Sequence, residues 1–350
     1  MSKTESRLIC TSSLEIPLPP TLVDIAKETN TSVSTVSRVL AGGIIANRIS
    51  KETRERVQLV ANRLGYRPNL VARTLRTRRS NTIALLVSDI ANPFYAQIAS
   101  LVERRLHQHG YSLVLCNSGE NPTREVEYLQ LLNQKAIDGL VLVPITIDRD
   151  HLMQHIPSKL PLVILDRPIP GIESTVACDQ VQWAKALCET LSKAGIRKVA
   201  VVTGPSHVMT HHRRAQAISE CFEIVAQHEG PARHETGREA VAKLMPSQPE
   251  AIVCTNNALA HGLIDALVQI ENPPVIGVFD EVPMMHVIPI PIVCAVQDVN
   301  ALAEGCVTQL LPLLSGDVKS PQPMILPGHT ATNRAVEARR FARTQLQSVN

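Results

Sequence analysis

Acidic, amide and guanidinium side chains follow a series of short apolar segments in the part of the chain after residue 80. If those segments are buried strands, the polar groups lie at strand ends, where α/β proteins bind their ligands. Each sugar hydroxyl both donates and accepts hydrogen bonds, so such groups around an apolar cleft suit a sugar. The candidate residues, with one aromatic neighbour, are Asp89, Asn92, Phe94, Asp166, Arg214, Asn256, Asp280 and Gln297. Each of them could instead cap or brace its own loop.

A second group of side chains is basic. Between Thr21 and Ser80, twelve Lys or Arg residues stand against four Asp or Glu residues, a net charge of +8. The whole chain carries only +3 and residues 1–20 are neutral, so residues 81–350 carry −5. A basic segment joined to an acidic body is typical of a nucleic-acid-binding module attached to another domain. The alternative is a solvated, arginine-rich face without a partner.

Three helical patterns position the basic side chains. Thr21, Ser32 and Ser50 are N-cap candidates, and Asn30 stands where the chain must turn in a left-handed conformation. The segment VSTVSRVL after Ser32 has an apolar stripe with helical spacing, formed by Val36, Val39 and Leu40. Its remaining side chains are small or polar, apart from the apolar Val33. Two short helices joined by a tight turn fit a DNA major groove about 12 Å wide.

The rest of the chain alternates between strand-like and helical patterns. TIALLVSD, SLVLCNSG, DGLVLVPI and PLVILD are separated by amphipathic segments, and a second series begins near Trp183. This alternation predicts parallel sheets covered on both faces. We therefore expect an all-α helix-turn-helix head and an α/β body with two lobes, like a periplasmic binding protein, with the ligand in the cleft between the lobes.

The head resembles the LacI/GalR family of bacterial transcription regulators. The resemblance rests on TLVDIA, TSVSTVSRVL, ISKETRERV and the junction LGYRPN, followed by ARTLR, and it continues through most of the body. It implies domains at 21–67 (helix-turn-helix), 68–80 (hinge) and 81–350 (effector binding and dimerisation), after a flexible leader at 1–20. It also implies a dimeric repressor of operator DNA that responds to a small sugar or sugar phosphate.

The resemblance assigns DNA-binding roles to residues of the head. Val33 and Ser34 correspond to the positions that select the operator half-site, and Arg38 to an arginine that reaches a guanine edge. An Arg fork suits guanine O6 and N7, although a plain phosphate contact remains the alternative. The other DNA-binding residues expected in the head are Thr21, Ser32, Thr35 and Ser37.

In the hinge, the family likeness implies a segment that becomes helical when two copies pair over the minor groove. The expected DNA-binding residues are Asn69, Ala72, Arg73, Leu75 and Arg76, with Leu75 as a wedge between base pairs and ordinary packing as its alternative. In the body, the resemblance makes Arg214, Asn256 and Asp280 the main sugar-binding positions and Phe94 a wall against the sugar ring.

This chain departs from the family pattern in three places. Ala41 replaces the usual Asn after the recognition helix, and Asn257 stands where Asp is common. The loop from Ala41 to Ile49 is longer than the common version, as in fructose and sucrose repressors. That loop favours a fructose- or sucrose-related phosphate as effector.

Other functions lack their sequence signals. No GxGxxG, Walker, GxSxG or HExxH motif occurs, so an enzyme is not expected. No metal or cofactor is expected either, and the eight scattered cysteines, without a CxxC pair, predict reduced thiols in a cytoplasmic protein. The apolar runs are shorter than the roughly 20 residues that cross a membrane. A periplasmic transport receptor is disfavoured by the absent secretory signal, and a sequence-independent DNA protein would bind all duplexes alike.

The hinge leads to a testable prediction. Leu75→Ser should weaken operator binding by about 1.5–3 kcal/mol, the usual value of burying one leucine side chain, because serine cannot fill the space between unstacked base pairs. Gel mobility of operator duplexes should report reduced bending, while dimerisation and ligand binding stay unchanged. Wild-type bending and affinity in the mutant would exclude the wedge.

Overall fold

The computed structural model describes residues 20–41, 46, 48–66, 79–146, 148–317 and 321–336. The chain divides into two compact units, residues 1–78 and 79–350, and each is treated by itself below. The hinge residues Asn69, Ala72, Arg73, Leu75 and Arg76 lie outside the described residues, as does most of the loop that follows Ala41.

The first unit contains three helices around a small core. They are α1 (Leu22–Thr29), α2 (Val33–Ala41) and α3 (Lys51–Arg63). One apolar side chain of each helix is fully buried where they meet, Ile25, Val36 and Val57. An ion pair between Arg63 and Glu28 also connects α3 with α1.

Local hydrogen bonds set the ends of these helices, as the sequence predicted. The Thr21 hydroxyl accepts from the Asp24 amide, and the Asp24 carboxylate accepts in return from the Thr21 amide, which forms a capping box. Asn30 ends α1 in the left-handed conformation, with φ 51°. Ser50 caps α3 by accepting from the Thr53 amide. The helix-turn-helix geometry expected from the sequence is therefore confirmed.

The second unit has two lobes, each built on a six-stranded sheet. The first sheet is parallel throughout, with the strand order β11-β5-β4-β3-β1-β2. Its strands are β1 (Thr82–Val87), β2 (Ser112–Asn117), β3 (Gly139–Leu142), β4 (Leu162–Leu165), β5 (Thr175–Cys178) and β11 (Met324–Leu326). One face packs against α4 (Pro93–Gln108) and α11 (Val299–Ser315), and the other against α5 (Pro122–Gln134) and α6 (Arg149–Met153).

The second sheet has the order β12-β10-β9-β8-β6-β7. Its strands are β6 (Lys198–Thr203), β7 (Glu223–Glu229), β8 (Ala251–Cys254), β9 (Val275–Phe279), β10 (Ile292–Val296) and β12 (His329–Thr332). Only β12 runs antiparallel to its neighbour. One face packs against α7 (Gln180–Lys193) and α8 (Met209–Ser219), and the other against α9 (His234–Leu244) and α10 (Asn257–Leu267). Short 3-10 turns lie at Met245–Ser247 and Met285–Val287.

Within the described residues, the chain passes between the lobes three times: from β5 to α7, from β10 to α11 and from β11 to β12. The sequence predicted two successive α/β series but not the return of α11 and β11 to the first lobe. A hinge motion of one lobe relative to the other would therefore be concentrated in these connections.

The thiols match the sequence expectation. Of the cysteines in the described part, Cys221 is exposed and the other six are buried, and none forms a disulfide with another described residue. No helix in this part of the chain is both long and apolar enough to cross a membrane.

The helices α9 and α10 approach each other through glycine. A Cβ atom at Gly262 would overlap the His234 carbonyl oxygen, and one at Gly237 would overlap the Leu259 carbonyl oxygen. Both obstructing atoms belong to helix backbones, which cannot move aside as a side chain can. The packing of these helices therefore requires glycine, which has no side chain, at both positions.

Gly262→Ala should consequently destabilise the body by about 1–3 kcal/mol, the usual cost of overpacking. On an open helix surface, the same change would stabilise by about 0.8–1 kcal/mol because alanine favours helices. Urea unfolding followed by circular dichroism measures the sign, with Ser100→Ala on the exposed face of α4 as control. A stabilised Gly262→Ala protein would contradict the close approach.

Candidate functional site

Helix α2 presents an exposed face formed by Val33, Ser34 and Arg38. Val36 and Val39 lie on its opposite face and are buried in the core of the first unit. Arg38 forms no ion pair with another described residue, so its guanidinium remains available to a partner. The geometry thus places the three predicted specificity residues on one solvent-facing surface.

The hydroxyl residues of this region have local roles as well. Ser32 Oγ accepts from the Thr35 amide at 3.1 Å and lies 2.8 Å from the hydroxyls of Ser34 and Thr35. Thr21 caps α1, and Thr35 and Ser37 are half-buried. These contacts order the helix starts, whose remaining amide N–H groups can donate hydrogen bonds to phosphate oxygens.

In the second unit, loops at the carboxyl ends of strands from both lobes line a polar cleft. It is lined by Asp89, Asn92, Tyr95, Glu120, Asp166, Arg167, Thr210, His211, Arg214, Ala232, Asn256 and Asp280. The first lobe contributes the residues up to Arg167 and the second lobe the others. The sequence expectation that the polar strand ends converge is therefore met for most of the residues named.

Arg214 occupies the centre of the second lobe's contribution. Its guanidinium lies 4.8 Å from the centre of the Trp183 ring and 5.0 Å from that of Phe279, and both rings favour a cation over their faces. One of its nitrogen atoms is 2.8 Å from the Thr255 carbonyl oxygen and 3.7 Å from an Asp280 carboxylate oxygen. The side chains of Arg214 and Asp280 are 5% and 6% exposed, so this ion pair is essentially buried.

Burial raises the pKa of Asp280, while the adjacent Arg214 opposes the shift. Asp280 also accepts a hydrogen bond from Gln297 Nε2 at 3.0 Å. Gln297 is thus a neighbour of the cleft residues rather than a part of the lining itself. Its contact fixes the orientation of the Asp280 carboxylate.

The first lobe holds a second ion pair, which is partly buried. Two guanidinium nitrogens of Arg167 donate to the two carboxylate oxygens of Glu120, at 3.0 and 2.5 Å. Burial alone would raise the pKa of Glu120, but the charge and hydrogen bonds of Arg167, with smaller contributions from other neighbours, together lower the pKa. Nearby, the Tyr95 hydroxyl donates to Asp166 Oδ2 at 2.8 Å.

A hydrogen bond between described residues joins the two lobes across the cleft. Asn257 Nδ2, at the start of α10, donates to Asn92 Oδ1 at 3.1 Å. The same Asn92 oxygen caps α4 by accepting from the Phe94 amide. The neighbouring Asn256 caps α10 by accepting from the Leu259 amide, and it also lines the cleft. Both helix starts therefore meet at the closed side of the cleft.

His211 is the one histidine in the lining of this cleft. Burial, followed by the charge of Arg214, lowers its pKa to about 3, so the ring is neutral near pH 7. Its Nδ1 lies 2.8 Å from the Thr255 hydroxyl. His211 can therefore exchange hydrogen bonds with a ligand but supplies no positive charge.

Asp166 and Asp280 share a rare backbone conformation. Each directly follows a buried strand, β4 or β9, and their φ angles are 68° and 75°. Left-handed backbone at a non-glycine residue is costly and is concentrated at binding sites. In both lobes this turn aims a carboxylate into the cleft.

Most sequence candidates reach the cleft, but Phe94 does not line it. Its ring packs edge-on against Tyr95 in the core of the first lobe, with only 6% of its surface exposed. Sequence reasoning missed Tyr95, Glu120 and His211. It also missed the aromatic faces that hold Arg214, although one of them belongs to the only tryptophan of the chain. No group of described residues has the composition of a metal site.

Comparison with known proteins agrees with this architecture. Residues 80–271 match the model "periplasmic binding proteins and sugar binding domain of LacI family", and residues 21–69 match "bacterial regulatory proteins, lacI family". The chain is 29% identical to catabolite control protein A of Priestia megaterium over 83% of this chain and 92% of that protein. It is 30% identical to the sucrose operon repressor of Pediococcus pentosaceus over 67% and 70%, respectively.

Among solved structures, the fold is similar to that of the lac repressor dimer bound to operator and the anti-inducer ONPF. The TM-score is 0.76 at 21% identity, and the match covers 89% of this chain and 98% of that one. With a helix-turn-helix head, a two-lobed body and family matches over both units, this chain belongs to the LacI family of bacterial regulatory proteins.

Proposed function

We propose that the protein is a sequence-specific, dimeric transcription repressor of the cytoplasm whose affinity for operator DNA is set by a small sugar or sugar phosphate in the interlobe cleft. The observation that carries this proposal is the presence of two sites in one chain. An exposed helix face with Arg38 lies in a basic unit, and a closed polar cleft lies in the other unit. The family's relatives are regulators rather than enzymes, as their names state.

In the head, α2 enters the major groove and presents Val33, Ser34 and Arg38 to base edges. The guanidinium fork of Arg38 pairs with guanine O6 and N7, whereas Val33 and Ser34 select among half-sites by shape and hydrogen bonding. The neighbouring hydroxyls of Ser32, Thr35, Ser37 and Thr21, with the amides at the helix starts, hold phosphates and fix the position of the helix.

An exposed apolar edge supports the dimer. Strand β2 is the outermost strand of the first sheet, and Val114 and Leu115 are each 42% exposed on it. Exposed apolar residues on an unpaired edge strand favour association with another chain. A two-fold dimer places two heads on two half-sites of a symmetric operator.

The cleft supplies the switch. A ligand shifts an equilibrium only by binding one state more tightly, and residues from both lobes can contact one sugar only when the lobes are closed. Closure moves the first lobe, whose strand β1 follows the hinge in the chain, relative to its partner in the dimer. The two hinges then no longer pair over one minor groove, so effector and operator oppose each other, with a coupling of about 1–3 kcal/mol.

The DNA-reading role of Arg38 gives a direct test. Arg38→Ala should lose about 1–3 kcal/mol of discrimination between operator and random duplexes, because the fork that matches guanine is removed. Gel retardation on duplexes selected from a random pool by the wild-type protein measures this. Arg38→Lys is the matched control, since it keeps the charge and loses the fork. Equal losses on operator and random DNA in Arg38→Ala would make Arg38 a phosphate contact.

The switch is tested at Arg214. Arg214→Ala should bind operator like the wild type but require at least about tenfold more effector for release, which corresponds to 1.4 kcal/mol of lost ligand affinity. Arg213→Ala, the exposed neighbour in the same helix, should behave like the wild type.

Because the loss of Arg214 leaves Asp280 buried without its partner, the melting temperature is measured in parallel. Asp280→Asn serves as a second variant of similar shape. If the Arg214→Ala protein left the operator at the same effector concentration as the wild type, Arg214 would not be part of the effector site. Tightening of the wild-type operator complex by effector would reverse the sign of the switch.

A further inference from the structure

The cleft is more acidic than a phosphate site requires. Four carboxylates line it, Asp89, Glu120, Asp166 and Asp280, whereas only two guanidinium groups do, those of Arg167 and Arg214. The lining therefore has a formal charge of −2, with His211 neutral. Since charges are poorly screened inside a closed cleft, this surplus repels an anion and is neutral toward an uncharged ligand.

Both cationic groups are already engaged by the protein. Arg167 makes a two-point contact with Glu120, and its guanidinium also lies 3.4 Å from the Pro144 carbonyl oxygen. Arg214 pairs with Asp280, donates to Thr255 and Gln180, and is covered by two aromatic rings. A phosphate would have to compete with the half-buried Glu120 carboxylate for Arg167 and with the buried Asp280 carboxylate for Arg214.

Three buried acceptor atoms in or beside the cleft point the same way. Asp166 Oδ1 is buried and has no hydrogen-bond partner among the described residues, although Asp166 lines the cleft. Beside the cleft, Asn257 Oδ1 and Gln297 Oε1 are also buried without a hydrogen-bond partner among the described residues. These atoms are acceptors and need donors, because a buried unsatisfied acceptor costs free energy. Sugar hydroxyls supply donors, whereas a phosphate dianion offers only acceptors.

From these observations, and resting on the proposed function, we propose that the effector is a neutral, unphosphorylated sugar and that the cleft rejects the phosphorylated form of the same sugar. Asp166 Oδ1 accepts from a ring hydroxyl, and Arg167 Nε, buried and without a partner among the described residues, donates to a hydroxyl oxygen. The ion pairs of Glu120 and Asp280 hold the guanidinium groups in place and cancel their charge.

Positive groups at the rim do not change this balance. Arg233 and His207 line an adjoining depression, where Asp89, Glu120 and His211 also lie. Both Arg233 and His207 are exposed, so their attraction for a phosphate is screened by solvent and salt. A phosphate bound there would be a rim contact, and the test below includes it.

The experiment compares matched ligand pairs on the full-length wild-type protein. Thermal-shift and calorimetric titrations are run with D-ribose, D-fructose, D-glucose and D-galactose and with the monophosphates of each. We expect at least one free sugar to bind and its monophosphates to bind at least tenfold more weakly. A monophosphate that binds more tightly than its free sugar would overturn the proposal, and so would a protein that binds no sugar of either kind.

A charge variant tests the cause. Glu120→Gln removes one negative charge and frees Arg167, so the preference for the free sugar over its monophosphate should fall by at least tenfold. Asp89→Asn is the second variant, to be used if Glu120→Gln does not fold. The Asp89 carboxylate has no cationic partner among the described residues, so this change removes a charge without leaving an arginine unpaired. It should also lower the preference for the free sugar over its monophosphate. Glu103→Gln, exposed on α4, is the control and should keep the wild-type ratio.

Two readouts keep the inference separate from the proposed function. Retardation of selected duplex DNA without any response to free sugars overturns the inference and leaves the DNA-binding role intact. Tight binding of a free sugar by a protein that retards no duplex overturns the proposed function and leaves the chemistry of the cleft intact. Monophosphate binding that disappears in Arg233→Ala would establish a rim phosphate site and contradict the proposed rejection.

Discussion

The buried ion pair between Arg214 and Asp280 is the interaction on which the cleft depends. Desolvating two charges is costly, and their attraction repays the cost only with good geometry and further hydrogen bonds. The protein supplies these through the Thr255 carbonyl, Gln297 and the rings of Trp183 and Phe279. Elements from α7, α8, β8, β9 and β10 are tied to one another at this point. Loss of either partner leaves an unpaired buried charge, so the pair constrains much of the second lobe.

The first lobe stabilises its ion pair by a different set of contacts. Arg167 and Glu120 form a two-point contact between the loop that follows β4 and the loop that follows β2. The first sheet brings these loops together because all its strands are parallel and their carboxyl ends lie at one edge. The left-handed turns at Asp166 and Asp280 appear at equivalent places in the two lobes, directly after a buried strand. Each lobe thus presents one strained carboxylate and one engaged guanidinium to the same space.

A hydrogen bond between polar side chains of the two lobes contributes to closure of the cleft without a ligand. The Asn257–Asn92 hydrogen bond links the helix starts of the two lobes, and a neutral amide pair contributes only about 0.5–1.5 kcal/mol. An interaction of this size biases an equilibrium between open and closed lobes without fixing it. An ionised Asp at position 257 has no hydrogen to donate to Asn92 Oδ1. The hydrogen bond between the lobes therefore depends on the amide of Asn257. The weak bridge leaves room for a ligand to decide the state.

The sequence by itself determined the helices of the head, the alternation of strands and helices in the body and the polar strand ends. Those features depend on local signals: the capping hydroxyls of Thr21 and Ser50, the turn at Asn30, and the apolar period of each segment. Only the tertiary structure decided that Phe94 packs inward, that Glu120 engages Arg167 and that Trp183 and Phe279 hold Arg214. Glu120 and Arg167 are 47 residues apart, and no periodicity relates them. Capping and periodicity act over one or two turns of chain, whereas the partner of a buried charge is chosen by which strand ends the folded sheets bring together.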